Sequence, residues 1–399
     1  MNPSTEKEKP VPSRNSPLRI QAIDLVRTIS IFTVLFQHFI SSTIAFHPDS
    51  SAVWGMVQFF GMRGRDGVYM FFVISGFLIT RQIASGPQGL FEPDLRDFYS
   101  RRFGRIIPLL ALICFIGALA MGISNTITPA LAYCFKDSNF HPGAGFWITI
   151  LTFQFNWYQI ALDVWSHATV EPGLHWVVLW SLAIEEQFYF FYPLFLRLLG
   201  GKRPFLMALG FIIPFGAVFT GALYLFTRPH NYFDRNNSFA GFSLIAMGAL
   251  LYLLLESHKD LFSRKRALCL GLVFVGPALI LATWILVPNP RDAWIPLTPL
   301  LIGAGVFLFL LGGMNLDFFE SKLLAPLCFP GKLSYGMYLL HVSVLFVLWP
   351  FLTGEGALVG LSVFVAATIG LSYLCYRFYE MPANFFIRNK LKHKKAGSN

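Results

Sequence analysis

Runs of about twenty predominantly apolar residues recur along the whole chain, and a run of that length crosses a bilayer as a helix with its backbone polar groups satisfied internally. The first is the stretch Arg19–His47. Others lie near 67–83, 106–123, 176–199, 205–226, 239–256, 267–287, 294–313, 333–352 and 356–379. The expected fold is therefore all-α: a polytopic integral membrane protein of about ten transmembrane helices. Residues 146–165, FWITILTFQFNWYQIALDVW, are a further apolar piece. Charge decides its status. With ten spans and an inside N-terminus, the basic clusters at 96–105, 202–203, 259–266 and 388–395 all face the cytoplasm, whereas an eleventh span would turn the last three outward. The segment is thus expected to be re-entrant or interfacial, buried by protein.

With 55% hydrophobic and only 13% charged residues among 399, a soluble globular domain is excluded. The formal charge of +10 sits in short loops and tails, where it sets orientation, so no nucleic-acid partner is expected. Residues 1–18 read as a disordered cytoplasmic tail, 19–382 as one membrane domain and 383–399 as a basic cytoplasmic tail on anionic lipid. The polar start argues against a cleavable signal peptide. Five scattered cysteines form no CxxC pair, so no metal site is expected. No internal repeat is evident, which weighs against transporters built from inverted repeats.

Ionisable side chains inside apolar spans are costly and point to function. In the first span Asp24, Arg27 and His38 share a face; Arg27 and His38 are about 16 Å apart along the axis. Imidazole suits proton transfer near neutral pH. Glu185 and Glu186 sit in another apolar helix and require partners. Counted inward from His175, Glu185 falls near the depth expected of His38, which it would orient; the alternative is an ion pair with Arg27. Arg102 and Arg105, three residues apart, share a helical face and carry guanidinium forks matched to phosphate. They are expected just before the third span, whose first backbone N–H groups would join the cradle. Ser75 and Gly76 lie in the second span, Gly76 allowing close helix approach. His341 lies about 12 Å inside its span. Pro382 is expected to end the last helix.

The blocks LRIQAIDLVRTISIFTVLFQHF, GRDGVYMFFVISGFLIT, FYSRRFGRIIPLL, LWSLAIEEQFYFFYP and SYGMYLLH, in this order, resemble the acyltransferase 3 family of integral-membrane O-acyltransferases. The match covers most of the chain. Arg27 and His38 fit the family's arginine and histidine separated by ten residues, Arg102 and Arg105 its RxxR, and Glu185 its glutamate five positions after a tryptophan. Where many relatives have a histidine two positions before that tryptophan, this chain has Val178, with His175 one turn earlier.

The resemblance implies an enzyme of the bacterial inner membrane, with both termini cytoplasmic. It would move an acyl group, expected to be acetyl, from cytoplasmic acyl-CoA to a hydroxyl of a surface or exported glycan or glycolipid. His38 and Glu185 would be catalytic, His38 as general base or transient acyl carrier. Arg27, Arg102 and Arg105 would bind the donor, and Asp24, Ser75, Glu186 and His341 would stand behind them. No tightly bound cofactor is implied; acyl-CoA is a substrate. Several relatives carry a further soluble domain after the bundle; with the sequence ending at Asn399, acceptor choice is expected to reside in the bundle, its outer loops or a partner. Two rival readings are acylation of a secreted small molecule, such as an antibiotic, and a transporter or proton-coupled channel using the same buried charges.

Overall fold

The computed structural model describes residues 21–43, 51–127, 143–166, 174–226, 236–287, 297–352 and 356–387. The expected tail at 1–18 and the basic cluster at 388–395 lie outside them. The main helices are α1 (Gln21–Thr43), α2 (Ala52–Gly61), α3 (Gly64–Ala84), α4 (Leu95–Ile127), α5 (Ala144–Leu151), α6 (Phe155–Ser166), α7 (Leu179–Leu199), α8 (Lys202–Phe226), α9 (Ser238–Ser257), α10 (Arg266–Leu286), α11 (Thr298–Gly313), α12 (Ala325–Leu352) and α13 (Ala357–Cys375). No strand occurs among the described residues.

Eight of these helices are long and apolar enough to cross a membrane. The other two expected spans are helical as well. α7 has 21 residues but carries Glu185, Glu186 and Arg197, and α11 has 16, rising about 24 Å. Packing reveals the relative sense of α1, α3, α9 and α12. α1 and α3 run antiparallel, with Gly64 facing Gln37 and Gly67 facing Ser30. α3 runs parallel to α9, Phe72 meeting Gly241 and Phe77 meeting Tyr252. α1 runs parallel to α12, where Gly331, Ser334 and His341 meet Asp24, Arg27 and His38 in turn. These senses match ten alternating crossings.

Glycine makes the tightest crossing possible. A Cβ on Gly76 would lie 1.8 Å from the Ile245 carbonyl oxygen, so α3 and α9 touch backbone to backbone there.

The segment 146–165 breaks into α5 and α6, of 8 and 12 residues, each too short to span. Its flanking helices run in opposite senses. α4 and α7 are antiparallel: the Tyr99 hydroxyl donates to the Phe190 carbonyl at 2.6 Å, while Ile113, further along α4, lies beside His175 just before α7. The chain between them therefore leaves and returns on one side. At the break, Phe153 has φ 55°, a left-handed conformation rare for a bulky residue. Its carbonyl accepts from Gln187 Nε2 at 2.7 Å, and the same nitrogen donates to Asn156 Oδ1 at 2.8 Å. Ser238 donates to Gln187 Oε1 at 2.6 Å, and Asn156 Nδ2 to the Asn236 carbonyl at 3.0 Å. This buried amide cluster satisfies the backbone where the helix is interrupted.

Two expected boundaries are corrected. α4 begins at Leu95, so Arg102 and Arg105 lie inside the helix rather than before it. Its free N–H groups are confined to its first turn and are not available at the arginines. Nor does the last helix stop at Pro382. A π turn at Tyr376–Glu380 follows α13 and helical geometry continues through Ile387. The Met381 N–H reaches the Tyr376 carbonyl five residues back, a widened turn that precedes the proline lacking an N–H of its own.

Candidate active site

Arg27 is held by α12. Its Nε donates to Ser334 Oγ at 3.1 Å and its Nη1 lies 3.7 Å from Asp24 Oδ1 within α1, so Asp24 serves as its counter-ion. One turn on, the Gly331 N–H donates to Thr28 Oγ1 at 2.9 Å, pinning the same two helices. Beside Arg27 opens a cleft. Arg102, Arg105, Glu185, Glu186, Ser75 and Tyr189 line it. Five of these were expected at the site, and the cleft brings them together.

The charges inside are arranged around Glu185, which is within hydrogen-bonding reach of Ser75 and Tyr189 and interacts electrostatically with Arg27, Arg102 and Arg105. Ser75 Oγ in turn bonds Tyr189 OH. The Arg102 guanidinium stacks 4.2 Å from the centre of the Tyr189 ring, and Arg105 lies 5.9 Å from that of Tyr335. Arg102 is 9% exposed, and its Nε and one Glu186 oxygen are buried with no hydrogen-bond partner among the described residues. With Asp24 paired to Arg27, Arg102 and Arg105 stand beside Glu185 and Glu186 in a largely apolar enclosure, and their guanidinium forks are matched in geometry to phosphate.

His38 does not join this group. Nothing among the described residues joins it to Glu185, so the expected His38–Glu185 pair is not formed. The reason is helix register: Glu185 packs beside Ser75 of α3, whereas His38 is further toward the start of α3, where Gly64 meets neighbouring Gln37. The partner of His38 is instead His341, with ring centres 5.0 Å apart. His341 is fully buried; its Nδ1 lies 3.1 Å from the Met337 carbonyl, and Nε2 has no partner among the described residues. His175 is buried nearby, its Nδ1 3.2 Å from Ser343 Oγ.

Tyr338 connects the two groups. It lines the cleft, packs 5.9 Å from His341 ring to ring, and shares hydrogen bonds with Ser181 and the Val178 carbonyl. Phe71, which also lines the cleft, lies edge-on to Tyr338 at 6.5 Å between ring centres. Ser334, Tyr335 and Tyr338 were not anticipated as site residues. The signal was present in SYGMYLLH, since positions 334, 335, 338 and 341 share one helical face. Asp66, at the start of α3, does not line the cleft. Arg63 caps the end of α10, donating to the carbonyls of Val287 at 2.8 Å and Trp284 at 2.6 Å, with Asp66 beside it.

Comparison with known proteins adds an independent observation. Residues 20–377 match the sequence profile of a family described as "Acyltransferase domain" (acyltransferase 3). The chain is 26% identical over 379 residues to O-acetyltransferase OatA of Staphylococcus aureus strain NCTC 8325 / PS 47, covering 92% of this chain and 57% of that protein. OatA of strain MRSA252 gives the same figures. A further S. aureus protein, SACOL0978 of strain COL, provisionally named an O-acetyltransferase, is 27% identical over 330 residues, 79% of this chain and 52% of its own length. The chain thus spans about half the length of these curated relatives. No solved structure matches it at a significant level.

Proposed function

Because the chain belongs to this acyltransferase family of membrane proteins, we propose that it is an O-acetyltransferase that takes an acetyl group from acyl-CoA in the cytoplasm and transfers it to a hydroxyl of a surface or exported glycan. The observation that carries the reading is the grouping of Arg27, Arg102 and Arg105 around one cleft whose far wall, Tyr338, touches the histidine pair. The arginines hold the donor's phosphates at the cytoplasmic end. Its thioester arm lies along the cleft past Ser75 and Glu185. Glu185 keeps the three guanidinium groups in register, since a carboxylate in this enclosure is stable only with such partners.

His38 is the general base. The acceptor hydroxyl gives its proton to the imidazole, its oxygen attacks the thioester carbonyl carbon, and the carbon–sulfur bond breaks to release the CoA thiolate, which regains a proton. Tyr338 stands in the path, so the thioester reaches His38 when that ring swings aside. The deciding experiment uses purified full chain in lipid nanodiscs with labelled acetyl-CoA and glycan fragments. Transfer is expected in the native protein, and His38→Ala should lower turnover by about 10²–10⁴-fold with donor binding retained. Undiminished transfer in His38→Ala would remove the histidine from the chemistry. Passage of a solute through sealed vesicles without transfer would replace the enzyme by a transporter.

A further inference from the structure

The central cleft is charged at one end and apolar at the other. Along α3 its lining residues follow helical spacing, from Leu78 through Ser75, Phe72 and Phe71 to Val68. α7 runs beside α3 in the same direction: Phe72 meets Trp180, Ser75 meets Tyr189 and Thr80 meets Tyr192. The arginines and carboxylates gather at the level of Ser75 and Tyr189. Toward Val68 the lining passes to Phe71, Phe72, Ser181, Leu182 and Tyr338, with no charged side chain among them. The two hydroxyls at this end are already engaged. Ser181 Oγ lies 2.6 Å from Tyr338 OH, and Tyr338 donates to the Val178 carbonyl at 2.8 Å.

The walls of the apolar end have packed structure behind them. Phe72 is 1% exposed; its ring stands edge-on to Trp180 at 6.2 Å, and a side-chain carbon on Gly241 would lie 3.2 Å from it. Val68 is buried in the same cluster as Phe72. Phe71 and Tyr338 pack on a second cluster that includes Leu35 and Met337, and His341 stands behind Tyr338. Close-packed surroundings resist even one added methylene, so this end has a fixed capacity. It also has nothing to pair with a buried charge.

We infer that Val68, Phe71 and Phe72 form the acyl pocket of the cleft and restrict the donor to a short, uncharged acyl group. This rests on the acyl-CoA reading above: with the phosphates among the arginines and the thioester arm directed toward Tyr338, the acyl chain is the part that enters the apolar end. A longer chain meets rings that cannot retreat. A chain ending in a carboxylate, such as succinyl, loses its water and finds neither a cation nor a free donor. The limit is set by side chains of α3, so it does not depend on the position of the Tyr338 ring.

The test measures binding of acetyl-CoA, butyryl-CoA and succinyl-CoA to the full chain in nanodiscs, by calorimetry. The native protein should bind the butyryl and succinyl thioesters at least tenfold more weakly than acetyl-CoA. Phe71→Ala, and to a smaller degree Val68→Ala, should tighten butyryl-CoA by tenfold or more over the native protein while succinyl-CoA stays weak. Native protein that binds butyryl-CoA as tightly as acetyl-CoA would overturn the pocket and leave the donor reading intact, and this comparison needs no variant to fold. Equal weakening of all three thioesters in Phe71→Ala would also overturn it, reducing Phe71 to a packing residue. Binding of no thioester by the native protein would overturn the donor reading and the pocket with it.

Discussion

His341 has one ring nitrogen committed and one bare. An N–H at Nδ1 donates to the Met337 carbonyl, which leaves the lone pair on Nε2, buried and facing no other partner among the described residues. In the proposed reaction that lone pair steadies the proton His38 receives, making His341 a positioning residue. His341→Asn is predicted to lower kcat about tenfold or more while the KM for donor holds. Steady-state kinetics on protein checked for folding by gel filtration would decide. A matched change in both constants would make the residue a packing group. Much of this scale was legible in the sequence: spacing alone put Arg27 and His38 on one face, and both do meet α12. The partner of His38 was not, because depth counted along two separate helices says nothing of how the helices slide past each other. Glu185 is at Ser75, and no periodicity in either segment encodes that register.

At the scale of elements, the broken segment α5–α6 is the informative case. Its sequence reads as one apolar run, and charge parity alone marked it as non-crossing. The position of the break was hidden, since what stabilises it comes from Gln187 on α7 and from Asn236 and Ser238 at the start of α9. Gln187 sits next to Glu186, so the tip of the re-entrant pair is tied to the helix that carries the cleft's carboxylates. Gln187→Ala strands Asn156 Oδ1 and the Phe153 carbonyl; each unsatisfied buried group costs about 1–3 kcal/mol. The prediction is faster amide exchange across 144–166 by mass spectrometry, with α1 and α12 unchanged. Native exchange rates in that segment would show that the amide cluster does not hold it. The π turn before Pro382 escaped notice for a similar reason. A proline is a rule for a straight helix, and the widened turn suspends the rule.

For the whole molecule, the senses of the helices agree with ten crossings, eight by helices of full length and apolarity and two by α7 and α11. Reporter fusions after Ile387 and before Gln21 should both report from the cytoplasm; opposite signals would refute the topology. The order and placing of the apolar helices were legible because apolar length records them directly. Neighbourhood was not. That α1 pairs in parallel with α12, and α3 with α9, follows from small residues such as Gly331 and Gly76 meeting foreign backbone.

The pairing of α1 with α12 also bears on how the protein comes into being. Arg27 and His38 are synthesised well before their partners Ser334 and His341, Ser334 lying 307 positions after Arg27. At about 5–20 residues per second the interval is roughly 15–60 s. During that time a nascent chain carries Arg102 and Arg105, the proposed phosphate ligands, but lacks the His38–His341 pair. In the proposed reaction, competence for transfer therefore waits until α12 docks against α1.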